Sequence, residues 1–344
     1  MLQKPKKLKT GSRVAIVSPS WGGPSTFPDR FSAGKRQFSE EFGVDIIDMP
    51  NCNKPAEWLH KNPEARAEDL MQAFLDPTID GIVASIGGDD AIRLIPYLDL
   101  QVITHNPKVF MGYSDTTTLH FACYKAGLSS FYGPSIMAGF AENAGIFPYM
   151  RNAVARTIFS SDIVGSIPES VEWTVEHLEW SNPDNQKKKR QTTPSLGRYL
   201  LQGNGIIEGH LIGGCMDVFP MIIGTSIWPS ADTFKNAILF LETSEEAPKT
   251  DDMQRILRNL GVQGILEKLS GILIGRPGGN VTDIKQYDVA IQKTVAEEFG
   301  LLELPIMAQM DFGHTDPMCI LAYGARARIN CETKEVAIIE QVCV

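Results

Sequence analysis

Three times in its first 120 residues the chain runs through a short β-branched, apolar segment, turns on small residues and continues into a helix-forming stretch. Residues 14–17 (VAIV) lead into Ser18-Pro19-Ser20-Trp21-Gly22. Residues 81–86 (GIVASI) lead into Gly87-Gly88-Asp89-Asp90 and a helix through Arg93 and Leu94. Residues 108–112 (KVFMG) lead into Tyr113-Ser114-Asp115 and three threonines. Residues 64–74, started by Asn62-Pro63, put Ala67, Leu70, Met71 and Phe74 at helical spacing. Strand, tight loop and helix in repetition predict a parallel sheet covered by helices on both faces. In such a sheet the working groups gather at the carboxyl ends of the strands.

From about residue 163 the texture changes. Trp173, His177 and Trp180 alternate with acids, and a polar stretch from Ser181 to Arg190 follows, with a basic run that reads as solvated loop. Beyond it, residues 205–214 read as a glycine-punctuated strand pair, and residues 237–241 (AILFL) as a strand ending on Glu242. A helix is predicted over 251–260, with Met253, Ile256, Leu257 and Leu260 on one face and Thr250 as its N-cap. Strands at 271–274 and 306–310 complete a second, mixed, β-rich domain. At 344 residues two domains are expected. The division read here is 1–165, a linker or inserted loop at 166–194, and 195–344.

The net charge of -9 argues against a general nucleic-acid binder, which needs a basic surface to neutralise phosphates. No stretch approaches the roughly 20 apolar residues of a membrane span. No apolar run of export-signal length follows Lys4, Lys6, Lys7 and Lys9. The six cysteines form no CxxC pair and mostly sit in apolar surroundings, the pattern of buried free thiols in a reducing cytoplasm and not of a zinc site or disulfide framework. The expectation is a cytoplasmic protein.

Ser114 stands at a sharp strand-to-helix turn, where a hydroxyl is held above the sheet edge beside free helix N–H groups. The flanking GxSD lacks the full GxSxG, and the competing reading makes Ser114 the N-cap of a helix over 116–123. Of the six histidines, His60, His105 and His177 read as surface, and His120 and His210 as structural. His314 follows an apolar strand inside Asp311-Phe312-Gly313-His314-Thr315, on the kind of loop that carries a general base. Glu242 closes the most apolar strand of the second domain, where an acid can orient an imidazole. In Gly87-Gly88-Asp89-Asp90 two glycines let main-chain N–H groups approach an anion, yet the loop is neither a Walker loop nor a dinucleotide fingerprint.

Together these pieces resemble the LD-carboxypeptidase and microcin C immunity serine peptidases. The carriers are VSPS at 17–20, RAEDL at 66–70, SIGGDDA at 85–91, PKVFMGYSD at 107–115, YGP at 132–134, the diglycine 213–214, LFLE at 239–242, GILIG at 271–275 and FGH at 312–314, in order over nearly the whole chain. The resemblance implies a flavodoxin-like N-terminal domain, a smaller barrel-like swivelling C-terminal domain, a homodimer, and action on a small-molecule peptide or aminoacyl-nucleotide substrate without metal or cofactor. It further implies Ser114 as nucleophile, His314 as general acid/base, Glu242 as orienting carboxylate and the backbone N–H groups of Gly88 and Asp115 as oxyanion hole. Ile86 and Asp89 stand where the murein-trimming branch typically has Arg and Tyr. The Gly-Gly-Asp-Asp form, Leu241 to Glu245 and the Trp-bearing insert look instead like the MccF branch, which cleaves aminoacyl-nucleotide amides. Gly87, Asp89, Trp180 and then Trp173 are the substrate-binding candidates. The alternatives are an LD-carboxypeptidase removing D-alanine from murein tetrapeptides, and a non-catalytic small-ligand module.

Overall fold

A computed structural model describes residues 2–279, 281 and 283–344. The apolar run near the N-terminus forms the strand Arg13–Val17 inside a six-stranded sheet. The order across that sheet is Leu321–Ala322, Phe131–Tyr132, Val109–Gly112, Gly81–Ala84, Arg13–Val17 and Asp45–Asp48, and all neighbours are parallel except the first pair. Pleating sends alternate residues to opposite faces. Val14, Ile16, Val83 and Met111 join one core with Phe31 and Phe38, whereas Ala15, Val17, Ile82 and Phe110 join another with Leu70 and Phe74. Two helices supply those partners, Pro28–Phe42 and Pro63–Leu75. A sheet wrapped on both sides explains why its central strands, Gly81–Ala84 and Val109–Gly112, are buried at every position, whereas the edge strand Asp45–Asp48 is not.

The second sheet has eight strands, centred on the parallel set Ile206–Cys215, Ala237–Glu242, Gly271–Gly275 and Ile306–Met310. Antiparallel strands flank it: Arg326–Asn330, Glu335–Gln341 and Ile163–Ser166 on one side, Tyr199–Gln202 on the other. The protein is thus mixed α/β, with a parallel-rich sheet first and a separate mixed sheet after it. Each sheet takes a strand from the other part of the chain. Leu321–Ala322 pairs with Phe131–Tyr132, and Ile163–Ser166 pairs with Glu335–Gln341.

Two local expectations are corrected. Residues 205–214 are not a strand pair but lie within the single strand Ile206–Cys215, whose Gly209 allows close packing: a Cβ there would lie 2.5 Å from Asn236 O. The helix Thr250–Val262 takes Thr250 inside its first turn; its N-cap is Lys249, whose N–H donates to Asp252 Oδ2 at 3.2 Å. All six cysteines are free and buried. Among the described residues no helix is long and apolar enough to cross a membrane.

Candidate active site

The carboxyl ends of strands from both sheets open on one cavity of about 820 Å³. Val109–Gly112 delivers Ser114 to it. The serine sits at φ 61, a left-handed conformation for an L-residue that costs on the order of 1–3 kcal/mol and is held by surrounding contacts. Its N–H donates to Tyr132 Oη at 3.2 Å. Below the elbow, buried His120 bonds Gly112 O at 2.9 Å and Ser130 Oγ at 2.8 Å. Burial pushes that imidazole down to about 3, so it serves as a neutral strut. The Ser114 side chain caps no helix, which removes the competing N-cap reading.

Gly87 passes directly over the hydroxyl, and Gly88 packs against Ser20 and Trp21. A Cβ on Gly87 would lie 2.9 Å from Ser114 Oγ, and one on Gly88 would lie 2.3 Å from Ser20 Oγ at φ +146, so only glycine fits this crossing. Among the described residues neither the Gly88 nor the Asp115 amide donates a hydrogen bond, leaving both free for an anion. The Asp115 carboxylate is turned inward instead, accepting from Ser20 Oγ at 2.6 Å and Ala91 N at 2.8 Å. Fully buried Arg66 holds the loop with a two-pronged pair to Asp90, at 2.6 and 3.2 Å.

From the second sheet come the acid and the imidazole. Glu242, at the carboxyl end of its strand, accepts from His314 Nδ1 at 2.7 Å and from the Tyr132 hydroxyl. Gly313, at φ +99, lets the loop close on the carboxylate: a Cβ there would sit 2.5 Å from Glu242 Oε2. Burial alone would lower the His314 pKa, but Glu242, helped by Glu245 and Asp217, carries it up to about 9. Glu242 in turn is held below its ordinary value: burial opposes this, and His314 and Tyr132 outweigh it. The far nitrogen, His314 Nε2, faces Glu245 Oε2 at 3.2 Å, and among the described residues no hydrogen bond joins it to Ser114 Oγ. Cys215 Sγ, Glu242 and His314 lie close enough to share a metal ion. The set suits one poorly, since burial drives the Cys215 thiol well above its ordinary value and the other two groups are bonded to each other.

The remaining candidates divide. Gly87, Asp89 and Trp180 line the cavity; Trp173 does not, and lies under the Arg276 guanidinium at 5.1 Å. Trp180 is framed by Phe27 edge-on at 5.7 Å and Arg30 at 4.9 Å. Lys187, Lys188 and Lys189 of the basic run are exposed, but Arg190 is not. It pairs with Glu142 and with Asp316 Oδ2 at 2.7 Å, tying the insert to both parts of the chain. Removing one partner of a buried ion pair typically costs about 3–5 kcal/mol. Arg190→Ala is therefore expected to speed tryptic cleavage after Lys187 to Lys189 by about tenfold or more, read by mass spectrometry of the fragments. Tyr132, Arg66, Arg190 and Glu245 had no role read from sequence. The YGP motif at 132–134 and RAEDL at 66–70 were their visible traces.

Models of the LD-carboxypeptidase N-terminal domain and C-terminal domain match residues 14–133 and 208–329. The microcin C7 self-immunity protein MccF of Escherichia coli is 27% identical over 343 residues, covering 97% of this chain and 95% of its own. The murein tetrapeptide carboxypeptidase of Pseudomonas aeruginosa is 26% identical, covering 92% of each chain. The crystal structure of an MccF-like protein from Streptococcus pneumoniae in complex with AMP superposes with a TM-score of 0.87 at 30% identity, covering 95% of this chain and 98% of that one.

Proposed function

This chain belongs to the LD-carboxypeptidase family of peptidases, and from that premise we propose that it is a serine hydrolase cleaving the amide bond between an aminoacyl group and a nucleotide. The observation that carries the reading is the bonded Glu242–His314 pair, 2.7 Å apart, opening on the cavity that holds Ser114. In this mechanism Glu242 fixes the tautomer with the proton on Nδ1, leaving Nε2 to take the proton of Ser114. The serine oxygen adds to the acyl carbon, and the N–H groups of Gly88 and Asp115 receive the oxyanion. His314 then returns the proton to the leaving nitrogen as the C–N bond breaks. Water, activated by the same imidazole, releases the acyl group from Ser114.

The aromatic wall favours a nucleotide leaving group. An indole face stacks on a base for roughly 1–3 kcal/mol, and Trp180 stands in the lining with Phe27 and Arg30 around it. The AMP held by the Streptococcus pneumoniae relative supports the same assignment. The test offers the protein an alanyl sulfamoyl adenosine and a murein tetrapeptide separately. Amide cleavage of the first, with little or no D-alanine from the second, is expected; D-alanine release with the nucleoside left intact reverses the assignment to an LD-carboxypeptidase.

A further inference from the structure

The cavity has two chemically different walls. Trp21, Phe27 and Trp180 form the aromatic one. Its arginines are already committed: Arg30 donates to Met137 O, Asn143 and Gln186, and Arg190 pairs with Glu142 and Asp316. Another part of the lining carries Asp217, Glu245 and Glu246 beside Val218 and Met221. Asp217 Oδ2 accepts from Ser244 N at 2.8 Å, which ties it to the loop that carries the two glutamates. Among the described lining residues there is no lysine, and neither arginine is paired with this wall. A negatively charged acyl group brought here meets repulsion, and a positively charged one meets attraction.

One contact turns this charge imbalance into a requirement. Glu245 Oε2 lies 3.2 Å from His314 Nε2, the nitrogen that must receive the serine proton, and its side chain is 70% exposed. Before His314 can act, Glu245 has to leave that nitrogen. A carboxylate leaves a cationic partner most readily for another cation.

We propose that Glu245, backed by Glu246 and Asp217, selects acyl groups that carry positive charge, an amino acid with a free ammonium and a lysine- or arginine-like side chain, and that the incoming cation draws Glu245 off the imidazole. The proposal rests on the hydrolase reading above and names the substrate class of that site. It makes Glu245 a specificity-determining residue, one that lets substrate release the base. Glu245 and Asp217 both act electrostatically on His314, which supports their closeness to the reacting groups.

The experiment measures kcat/KM for lysyl, alanyl and glutamyl sulfamoyl adenosines with the full-length protein, the Glu245→Gln/Glu246→Gln double variant and Glu245→Lys. The unaltered protein should prefer lysyl to glutamyl by about 30- to 100-fold, with alanyl between them. The double variant should bring the two within about threefold, and Glu245→Lys should invert the order. Equal or faster cleavage of the glutamyl compound by the unaltered protein overturns the proposal. So does a lysyl preference that survives in the double variant. If the unaltered protein cleaves none of the three, the alanyl compound included, it is the underlying hydrolase reading that falls.

Discussion

With Ser114 replaced by alanine, kcat for amide cleavage should fall by about four to six powers of ten, while folding and ligand affinity stay close to those of the unaltered protein. The size follows from the role. Without the hydroxyl no acyl intermediate forms, and only binding and the anion-binding amides remain to speed direct attack by water. Stability should change little because the side chain caps no helix, and Ser114 Oγ makes no hydrogen bond among the described residues. Alanine and serine also tolerate φ 61 about equally, so the strain at the elbow is unchanged. A fluorophosphonate probe separates this outcome from a cavity that merely binds: the unaltered protein is labelled at Ser114 and the variant is not. Unchanged turnover in Ser114→Ala, or a refusal of the unaltered protein to take the label, would leave a binding module as the better account.

The parts of this site that can be read from sequence are those whose signal is local. An apolar run that stops at Gly112, with Tyr113 and Ser114 next, announces a strand end and an exposed hydroxyl; Glu242 and His314 announce themselves the same way. The double glycine at 87–88 is legible because a side chain at 87 would strike Ser114 and one at 88 would strike Ser20. What stays hidden depends on pairing across long stretches of chain. Leu321–Ala322 joins the first sheet and Ile163–Ser166 joins the second, and neither short strand carries a periodicity that names its partner. Tyr132 is the clearest case. Its hydroxyl accepts from Ser114 N and donates to Glu242, linking the elbow of one sheet to the acid of the other. Nothing in its neighbourhood announces that link. Trp173 and Trp180 look alike in sequence, yet one ends under Arg276 and the other in the cavity wall. Arg190 belongs to a run of basic residues, and only its partners, buried Glu142 and half-buried Asp316, set it apart from the three exposed lysines before it.

Glu242→Gln should lower kcat by about four powers of ten with the fold intact, because it damages the base and not the nucleophile. The carboxylate accepts two hydrogen bonds, from His314 Nδ1 and from the Tyr132 hydroxyl. A glutamine keeps the shape but has only one carbonyl. If that carbonyl faces Tyr132, the amide N–H faces His314 and turns Nδ1 into an acceptor, which places the imidazole proton on Nε2, where it blocks uptake of the serine proton. The pH dependence gives a second readout. In the unaltered protein His314 titrates at about 9, so kcat/KM rises as pH climbs toward that value and the imidazole deprotonates. Loss of the negative charge lets burial dominate, and the acid limb of the profile should move downward in the variant. Stability follows the same titration with a definite sign. A histidine whose pKa is raised by folding from 6.5 to about 9 stabilises the fold fully below pH 6.5, and that contribution disappears as pH rises through about 9. The variant should therefore lose more thermal stability at pH 6 than at pH 10, measured as the difference in Tm from the unaltered protein at each pH. Equal losses at the two pH values, together with an unmoved acid limb, would show that the proton is not held between Glu242 and His314, and the division of labour between acid and base at this site would have to be redrawn.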